Sequence, residues 1–401
     1  MIVLAGGDLA LPGRILQNAS LVIDGARIVA VEPDARVDAA GATIVETPDC
    51  YIVPGFVDVH VHGVDGHDTL DEGDAVARIA SRLPRYGVTA FCPTTVACAP
   101  SALRTVLAQV ATARAMRPAN SARVLPAHLE SNFINPEYRG AQPAECLRLP
   151  SDLVIRRDGA FSTRDILDII AGARADVGIV TLAPELPGGV ELVRALVAEG
   201  TRVSLGHSGA SLDEAMAAID AGARHATHLF NRMAPMTHRA PGVAGAVLAR
   251  DEVAAELICD GYHVHPAMSR IAIASKGVGR VMAITDGTAG SGLPVGSVAR
   301  LGGQPIRVTE HAAVLDAGTL AGSTLTMDRA FRTIVATFGF SVTDAAMLCS
   351  TTPARELGLT GSGVLVEGGS ADVVVLDRRF RVVRTFIDGR EVYARSAAAS
   401  S

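Results

Sequence analysis

Two histidines end an apolar run near the start of the chain and could begin a metal site. The segment is Pro-Gly-Phe-Val-Asp-Val-His-Val-His-Gly, residues 54–63. Side chains two residues apart on a β-strand point to the same face, so His60 and His62 can present their imidazoles side by side. Imidazole is a common ligand of zinc and related divalent metals. The motif therefore predicts a metal site if other segments supply further ligands.

Other residues that could bind a metal lie at the ends of later apolar runs. Glu130 ends Arg-Val-Leu-Pro-Ala-His-Leu-Glu, and His207 follows Arg-Val-Ser-Leu-Gly. His228 ends His-Ala-Thr-His, and Asp286 follows Arg-Val-Met-Ala-Ile-Thr. A single histidine there is more often a satisfied buried polar group, and a single carboxylate can be a helix N-cap. Coincidence at five strand ends is much harder to sustain, so the set predicts a metal centre.

These positions require strands whose carboxyl ends meet. Short apolar runs alternate with Ala/Arg/Glu-rich stretches, which predicts a (β/α)8 barrel with its working residues at the C-terminal strand ends. The predicted strands are Tyr51–Val59, Ala90–Thr94, Val124–Leu129, Gly178–Leu182, Arg202–Leu205, His225–Leu229, Glu256–Ile258 and Val281–Ile284. The predicted helices are Asp74–Tyr86, Ala102–Ala115, Ser162–Arg174, Gly189–Glu199, Ser211–Ala221, Pro266–Lys276 and Thr324–Phe338. His128 and His225 are expected to face the barrel wall.

Strand–turn–strand patterns at both ends of the chain predict a second, smaller domain. Residues 20–32 and 371–393 each contain apolar segments around an Asp-Gly turn. Neither piece can bury a core alone, so we expect one small β-sandwich built from both termini. The predicted organisation is 1–50 and 356–395 for the sandwich, 51–355 for the barrel and 396–401 for a tail.

Composition excludes several classes of protein. Apolar residues make up 49% of the 401 residues and charged residues 19%, so a large core is expected. The net charge of −6 without a basic run argues against nucleic acid and anionic membranes as partners. No signal peptide and no stretch of about 20 apolar residues is recognisable, which predicts a soluble cytoplasmic protein. The six scattered cysteines, without a Cys-x-x-Cys pair, are expected to be free thiols.

With these positions the sequence resembles the amidohydrolase superfamily and, within it, the N-acetylglucosamine-6-phosphate deacetylases. The resemblance covers nearly the whole chain. His-x-His marks only the superfamily, whereas the Glu130 segment, Asn231 and the segment 260–263 narrow it to the deacetylases. Besides 54–63 the shared motifs are His-Leu-Glu (128–130), Phe-Ile-Asn-Pro (133–136), Gly-Ala-Gln (140–142), Thr-Leu-Ala-Pro-Glu (181–185), Gly-His-Ser (206–208), His-Leu-Phe-Asn-Arg-Met (228–233), His-Arg-Ala-Pro-Gly (238–242), Asp-Gly-Tyr-His-Val-His-Pro (260–266), Thr-Asp-Gly (285–287) and Leu-Ala-Gly-Ser-Thr-Leu-Thr-Met (320–327).

The resemblance implies deacetylation of N-acetylglucosamine 6-phosphate, or of a close N-acetylhexosamine phosphate, to acetate and an amino sugar phosphate. We expect one metal on Glu130, His207 and His228, and a second position at His60 and His62. One or two divalent ions are expected, with zinc placed before iron, cobalt and manganese.

The expected chemistry also depends on Asp286 and on the lack of a lysine at a strand end. Asp286 is expected to take a proton from water and to deliver it to the leaving amine. Many binuclear amidohydrolases bridge their metals with a carboxylated lysine. Lys276, the only lysine in the sequence, lies in a predicted helix before the Asp286 strand. Glu130 is therefore predicted to be the bridging or central carboxylate.

The resemblance also implies the contacts that bind the substrate. His263 is expected to contact the sugar and to help polarise the amide. Asn231 and Arg239 are expected to bind the phosphate, with Arg239 reaching across the interface of a homodimer. Arginine suits phosphate because its planar fork donates two hydrogen bonds. Further expected contacts are Ala141, Arg232, Asp260, Ala321, Gly322 and Ser323.

Departures from the family pattern leave the substrate open. Ser131-Asn132 stands where Gly-Pro is usual, Thr-Asp-Gly replaces Thr-Asp-Ala, and Arg232 replaces a small alanine. Arg232 could add a phosphate contact, or fill space and select another sugar. The alternatives are an amidohydrolase acting on a different N-acyl or cyclic amide, and a non-catalytic barrel used as a scaffold. A base deaminase would show a His-Ala-Gly-Glu-like segment, which is absent.

Overall fold

The computed structural model describes residues 1–34, 41–152 and 161–396. The strands, in chain order, are β1 (Ile2–Leu11), β2 (Arg14–Asp24), β3 (Arg27–Glu32), β4 (Thr43–Glu46), β5 (Cys50–Pro54), β6 (Phe56–Val61), β7 (Gly63–Val64), β8 (His67–Asp68), β9 (Val88–Thr95), β10 (Arg123–Val124), β11 (Ala127–Glu130), β12 (Val177–Leu182), β13 (Arg202–Leu205), β14 (His225–Ala226), β15 (Ala254–Ile258), β16 (Val281–Ile284), β17 (Val298–Leu301), β18 (Gln304–Val308), β19 (Ala313–Val314), β20 (Val373–Asp377), β21 (Val382–Ile387) and β22 (Arg390–Ala394). The helices are α1 (Ala75–Arg82), α2 (Pro100–Ala115), α3 (Thr163–Gly172), α4 (Gly189–Ala198), α5 (Leu212–Asp220), α6 (Gly242–Ala249), α7 (Pro266–Lys276), α8 (Met327–Ala336), α9 (Val342–Ala346) and α10 (Thr352–Glu356). Of the predicted tail, residues 397–401 lie outside the described residues.

Eight parallel strands form a barrel whose order follows the chain. Hydrogen-bonded neighbours run β6, β9, β11, β12, β13, β14, β15 and β16. The barrel closes where the Asp286 N–H donates to the His60 carbonyl (2.9 Å) and the His62 N–H donates to the Gly287 carbonyl (2.7 Å). The predicted (β/α)8 barrel is therefore confirmed. Its closure places the ends of β6 and β16, which carry three predicted site residues, directly side by side.

Several helices pack against the barrel with one apolar face. α8, for example, buries Phe331 and Ile334. Three helices begin with reciprocal capping boxes, which satisfy backbone N–H groups that the first turn leaves free; the pairs are Ser162–Asp165, Ser211–Glu214 and Ser341–Asp344. In the described parts of the chain, no helix combines the length and apolar character needed to cross a bilayer.

Both chain ends contribute to a second sheet. Its strand order is β22-β21-β20-β5-β1-β2-β3, with β4 also paired to β1. β5 pairs in parallel with β1 and antiparallel with β20, so the two terminal segments depend on each other. Leu4, Leu21, Ile52, Val373 and Phe386 form part of its buried core. The prediction of a small β domain built from both termini is confirmed, whereas its limits stay predictions.

The predicted strand Tyr51–Val59 is in fact two strands that belong to two different sheets. β5 ends at Pro54 and β6 begins at Phe56, with Gly55 between them. A Cβ atom on Gly55 would lie 2.3 Å from Thr89 Oγ1 on β9, so glycine permits this close approach. The two strands follow each other in one mostly apolar run, and the sequence pattern therefore gave no sign of the change of sheet.

A small antiparallel sheet, β17-β18-β19, lies over the C-terminal end of the barrel and was not expected from the sequence. Gln304 Nε2 donates to the Ala141 carbonyl (2.8 Å), and the Gly302 N–H donates to Asp68 Oδ2 (3.1 Å). These strands have only two to five residues, which is too short for a reliable alternation signal. The sheet connects loops that surround the predicted site.

Candidate metal centre and active site

Glu130, His207 and His228 meet at the C-terminal end of the barrel. Glu130 Oε1 lies 2.8 Å from His207 Nε2 and 2.9 Å from His228 Nε2. The two Nε2 atoms are 3.1 Å apart, and all three side chains are buried. Two imidazole nitrogens and a carboxylate oxygen that converge in this way form a donor set suited to a divalent metal.

His60, His62 and Asp286 form a second group beside the first. Asp286 Oδ1 lies 3.2 Å from His62 Nε2 and 3.4 Å from His60 Nε2. Glu130 faces this group too, with Oε2 3.6 Å from His62 Nε2 and Oε1 3.8 Å from His60 Nε2. The structure thus brings all six predicted residues together, with Glu130 between the two groups.

Unusual backbone conformations direct three of these side chains into the site. His207, His228 and Asp286 have positive φ angles of 48°, 28° and 47°. Residues other than glycine adopt this left-handed region rarely, at a cost of about 1–3 kcal/mol each. Surrounding hydrogen bonds hold the conformation, such as the one from the Ser323 N–H to the Asp286 carbonyl (2.7 Å). The rest of the fold therefore stabilises a geometry that the local sequence does not favour.

Burial and proximity shift the pKa values of these groups. Burial raises the pKa of Glu130, but the charge and hydrogen bonds of His207 and His228 outweigh it and lower that pKa well below its usual value. Burial likewise opposes ionisation of Asp286, yet the hydrogen bond with His62 and the nearby imidazoles lower its pKa. The centre therefore holds ionised carboxylates beside imidazoles, where a divalent cation can replace bound protons.

A buried carboxylate behind His60 was missed by the sequence reasoning. Glu256 Oε2 accepts a hydrogen bond from His60 Nδ1 (2.9 Å). Burial lowers the pKa of His60, but the hydrogen bond and charge of Glu256 overcome it and raise that pKa to about 10. The signal was a single acidic residue inside the apolar run Ala254–Cys259, because a buried carboxylate requires a partner.

His128 does not face the barrel wall, so that expectation is wrong. Its ring centroid lies 4.6 Å from that of His60, and its Nε2 lies 2.7 Å from Thr181 Oγ1. His128 and Glu130 are two residues apart on one strand and therefore share its inward face. The side chain of His225 instead points toward α10, where its Nε2 lies 3.8 Å from Glu356 Oε2.

Gln142 is a second missed residue and contacts the central carboxylate. Its Nε2 donates to Glu130 Oε2, and its Oε1 accepts from the Ala97 N–H (2.7 Å). The residue belongs to the Gly-Ala-Gln motif, of which only Ala141 was predicted to form a contact. Two buried hydrogen bonds make Gln142 a link between the β9 end and Glu130.

A cavity of about 520 Å³ opens above the two groups and is large enough for a small polar molecule. Its floor contains His62, Glu130, His207, His228 and Asp286. Of the predicted substrate contacts, the ones that line it are Ala141, Asn231, Arg232, His263 and Gly322.

Four predicted substrate contacts do not line this cavity. Asp260 instead accepts a hydrogen bond from His263 Nδ1 (2.6 Å). Arg239 is exposed on the loop that precedes α6. Ala321 and Ser323 are fully buried, and Ser323 Oγ donates to the Thr285 carbonyl (2.6 Å). Ser323 therefore supports the turn around Asp286, whereas the Ala321 N–H donates to the Ala313 carbonyl (3.0 Å).

His263 presents a polar atom toward the cavity. Burial lowers its pKa, but the hydrogen bond and charge of Asp260 outweigh burial and raise it. Its buried Nε2 has no hydrogen-bond partner in the described residues. A substrate oxygen can satisfy this atom, since buried polar groups are normally paired.

Ser131 and Asn132 hold loops together and do not line the cavity. Asn132 Nδ2 donates to the Cys98 carbonyl (2.8 Å) and to the Cys146 carbonyl (2.7 Å). Ser131 Oγ donates to the Thr181 carbonyl (2.5 Å). This departure from the family pattern is therefore compatible with an unchanged centre.

Comparison with known proteins gives consistent matches along the chain. The sequence model of the amidohydrolase family matches residues 51–392. The N-acetylglucosamine-6-phosphate deacetylase of Homo sapiens is 38% identical over 400 residues, which cover 96% of this chain and 91% of that protein. The N-acetylgalactosamine-6-phosphate deacetylase of Escherichia coli O157:H7 is 34% identical over 378 residues, covering 94% and 95%. A solved structure of a mutant N-acetyl-D-glucosamine-6-phosphate deacetylase from Mycobacterium smegmatis, in complex with N-acetyl-D-glucosamine-6-phosphate, has a TM-score of 0.87 at 30% identity and covers 98% of this chain and 99% of its own.

Replacing Gln142 tests its contact with Glu130. In Gln142→Ala the buried Ala97 N–H and one Glu130 oxygen lose their partner, so we expect the free energy of unfolding to fall by about 1–3 kcal/mol. Denaturant titration measures the change. Gln304→Ala is the control, since it removes one half-buried hydrogen bond and should cost at most about 1 kcal/mol. A Gln142 variant as stable as the wild type would contradict the assignment.

Proposed function

The chain belongs to the amidohydrolase family, and we propose that it hydrolyses the acetamide of N-acetylglucosamine 6-phosphate, or of a close N-acetylhexosamine phosphate, to acetate and an amino sugar phosphate. The observation that carries the proposal is the convergence of Glu130, His207, His228 and Asp286 on the floor of one cavity. The relatives named as deacetylases of both hexosamine phosphates support the substrate class.

Glu130, His207 and His228 would hold one divalent cation. The donors fit this role because two Nε2 atoms 3.1 Å apart bring their lone pairs together, which is favourable only around a proton or a metal. Two imidazoles and one carboxylate are a donor set of catalytic zinc sites, and zinc is proposed before iron, cobalt or manganese. When bound, such a cation polarises an amide carbonyl and makes water acidic enough to attack near neutral pH.

Asp286 is proposed to move the proton. Its low pKa leaves it ionised, so it can accept a proton from the water whose oxygen attacks the carbonyl carbon. It then delivers that proton to the amide nitrogen as the carbon–nitrogen bond breaks. The acetyl carbon leaves as acetate, and the nitrogen stays on the sugar as an amine.

His263 is proposed to orient the acetylated end of the substrate. The carboxylate of Asp260 fixes its ring through Nδ1, and its raised pKa favours a proton on Nε2. A donor at this position can bind a substrate oxygen and contribute to polarising the amide.

Asn231, Arg232 and Arg239 are proposed to bind the phosphate. Arg232 is the one lysine or arginine among the cavity-lining residues that the structure describes. Its Nη2 makes a long contact with the Leu320 carbonyl (3.5 Å), and no ion pair to it occurs in the described residues. Most of its donors are therefore available to an anion. Arg239, exposed in one protomer, would act on the neighbouring site of a cytoplasmic homodimer.

Acetate release from four substrates tests this function. We expect the zinc-loaded protein to hydrolyse N-acetylglucosamine 6-phosphate or its galactosamine epimer at least about tenfold more efficiently than the unphosphorylated sugars, because phosphate adds charge-assisted hydrogen bonds. Equal efficiency with and without phosphate would refute a phosphate site. Activity on other N-acyl or cyclic amides alone would favour the alternative amidohydrolase, and a protein that binds no metal would favour a scaffold.

Asp286→Asn tests the proton transfer. The amide cannot accept the proton, so kcat should fall by about two or more decades. Metal content measured by mass spectrometry should stay at one equivalent or more, since the Glu130 group is unchanged. A kcat near that of the wild type would remove Asp286 from the mechanism.

Arg232→Ala tests the contribution of this chain's own guanidinium. We expect KM for the phosphorylated sugar to rise about tenfold or more, with little change in kcat/KM for the unphosphorylated sugar. Arg194→Ala, on the exposed side of α4, is the matched control and should change neither value. Equal losses on both sugars would indicate that Arg232 fills space and does not bind phosphate.

A further inference from the structure

We propose that Glu256 is a positioning residue that, through His60, makes the His60/His62 group a second metal position. The inference rests on the proposed metal-dependent function and adds to it a residue that acts on the second metal position through one of its ligands. Glu256 touches neither the cavity nor the first group. Its role would be to fix one ligand of the second ion.

The contact between Glu256 and His60 determines which nitrogen of the ring faces the centre. Glu256 Oε2 accepts from His60 Nδ1 at 2.9 Å, and both side chains are fully buried. A carboxylate on Nδ1 keeps the proton there, so Nε2 is the nitrogen at which a metal can replace a proton. That Nε2 lies 3.3 Å from His62 Nε2 and 3.4 Å from Asp286 Oδ1.

The other site histidines lack such a partner in the described residues. His207 Nδ1 contacts the Tyr138 carbonyl (2.8 Å), while His62 Nδ1 and His228 Nδ1 are buried without hydrogen-bond partners. A carboxylate behind a ligand histidine orients the ring and makes its other nitrogen a stronger ligand. Glu256 therefore strengthens one ligand of the second group specifically.

Charge also favours a cation on the far side of His60. Glu256 Oε1 has no hydrogen bond, and His128 Nδ1, 3.7 Å away, supplies little charge because burial lowers the pKa of His128 to about 4. A buried anion is unfavourable unless a nearby positive charge compensates it. A divalent ion at His60 Nε2 supplies that charge through the ring.

His60, His128 and Glu256 also lie close together, but His128 does not make these three residues a separate metal site. Its Nδ1 is hydrogen-bonded to the Val59 carbonyl (3.0 Å), and its Nε2 to Thr181 Oγ1 (2.7 Å). Both nitrogens are thus engaged, which leaves no lone pair for a metal. His128 and Thr181 instead form a polar layer beneath the centre.

Zinc titration of metal-free protein tests the proposal, with free zinc set by a chromogenic chelator. We expect two equivalents in the wild type. Glu256→Gln, which retains an acceptor but no charge, should keep the first equivalent and bind the second about 10–100-fold more weakly. Glu256→Asp keeps the charge on a shorter side chain, so it should bind the second zinc ion with intermediate affinity. This variant replaces Glu256→Gln in the test if the latter does not fold.

Asp58→Asn is the matched control. Asp58 is a buried carboxylate on the same strand as His60, but it accepts hydrogen bonds from Thr285 Oγ1 (2.6 Å) and the His60 backbone N–H (3.2 Å) and not from a histidine ring. It should therefore retain two equivalents. Thermal midpoints of all variants, measured without metal, distinguish a loss of affinity from a loss of stability.

Each outcome decides the question. A wild type that saturates at one equivalent, a Glu256→Gln variant that binds the second ion as tightly as the wild type, or an Asp58→Asn variant that loses it equally would overturn the inference. These results would leave the proposed hydrolysis intact. A wild type that binds no zinc at all would instead contradict the proposed function itself.

Discussion

The structure of the centre depends on one buried carboxylate, Glu130, at the point where the barrel ends. A carboxylate in such a place is unfavourable unless every oxygen finds a partner. His207 and His228 contact Oε1, and Gln142 contacts Oε2. These partners come from three different parts of the chain, so the charge of Glu130 connects the ends of several strands and the loop that carries Gln142.

The barrel provides this arrangement through its closure and its strand ends. Backbone hydrogen bonds between the ends of β6 and β16 bring the His60/His62 pair beside Asp286, although the two segments are far apart in the sequence. The left-handed conformations of His207, His228 and Asp286 are unfavourable by themselves and persist because neighbouring turns hold them. Stability supplied by the large core thus maintains a strained but well-defined centre.

Charge is distributed in layers around the site. Glu256 lies behind the histidines inside the barrel, the ionised Glu130 and Asp286 lie at the floor, and Arg232 lies at the cavity wall. An anionic floor suits a divalent cation, and a guanidinium at the wall suits an anionic substituent of a substrate. An anionic floor and a cationic wall together fit a small phosphorylated amide better than a neutral amide.

The sequence alone determined the residue types of the centre, the alternation of strands and helices, and a terminal β domain, because alternation on strands and clustering of ligands at strand ends are local patterns. Tertiary structure decided those features that depend on contacts between segments far apart in the sequence. It divided Tyr51–Val59 between two sheets at Gly55, since glycine is needed only where β6 approaches Thr89. It turned His128 into the barrel and set Glu256 behind His60, contacts between strands that are far apart in sequence. It also left Arg239 exposed while placing Arg232 on the cavity wall, because which loop residue reaches a cavity depends on how the loop packs and not on residue type.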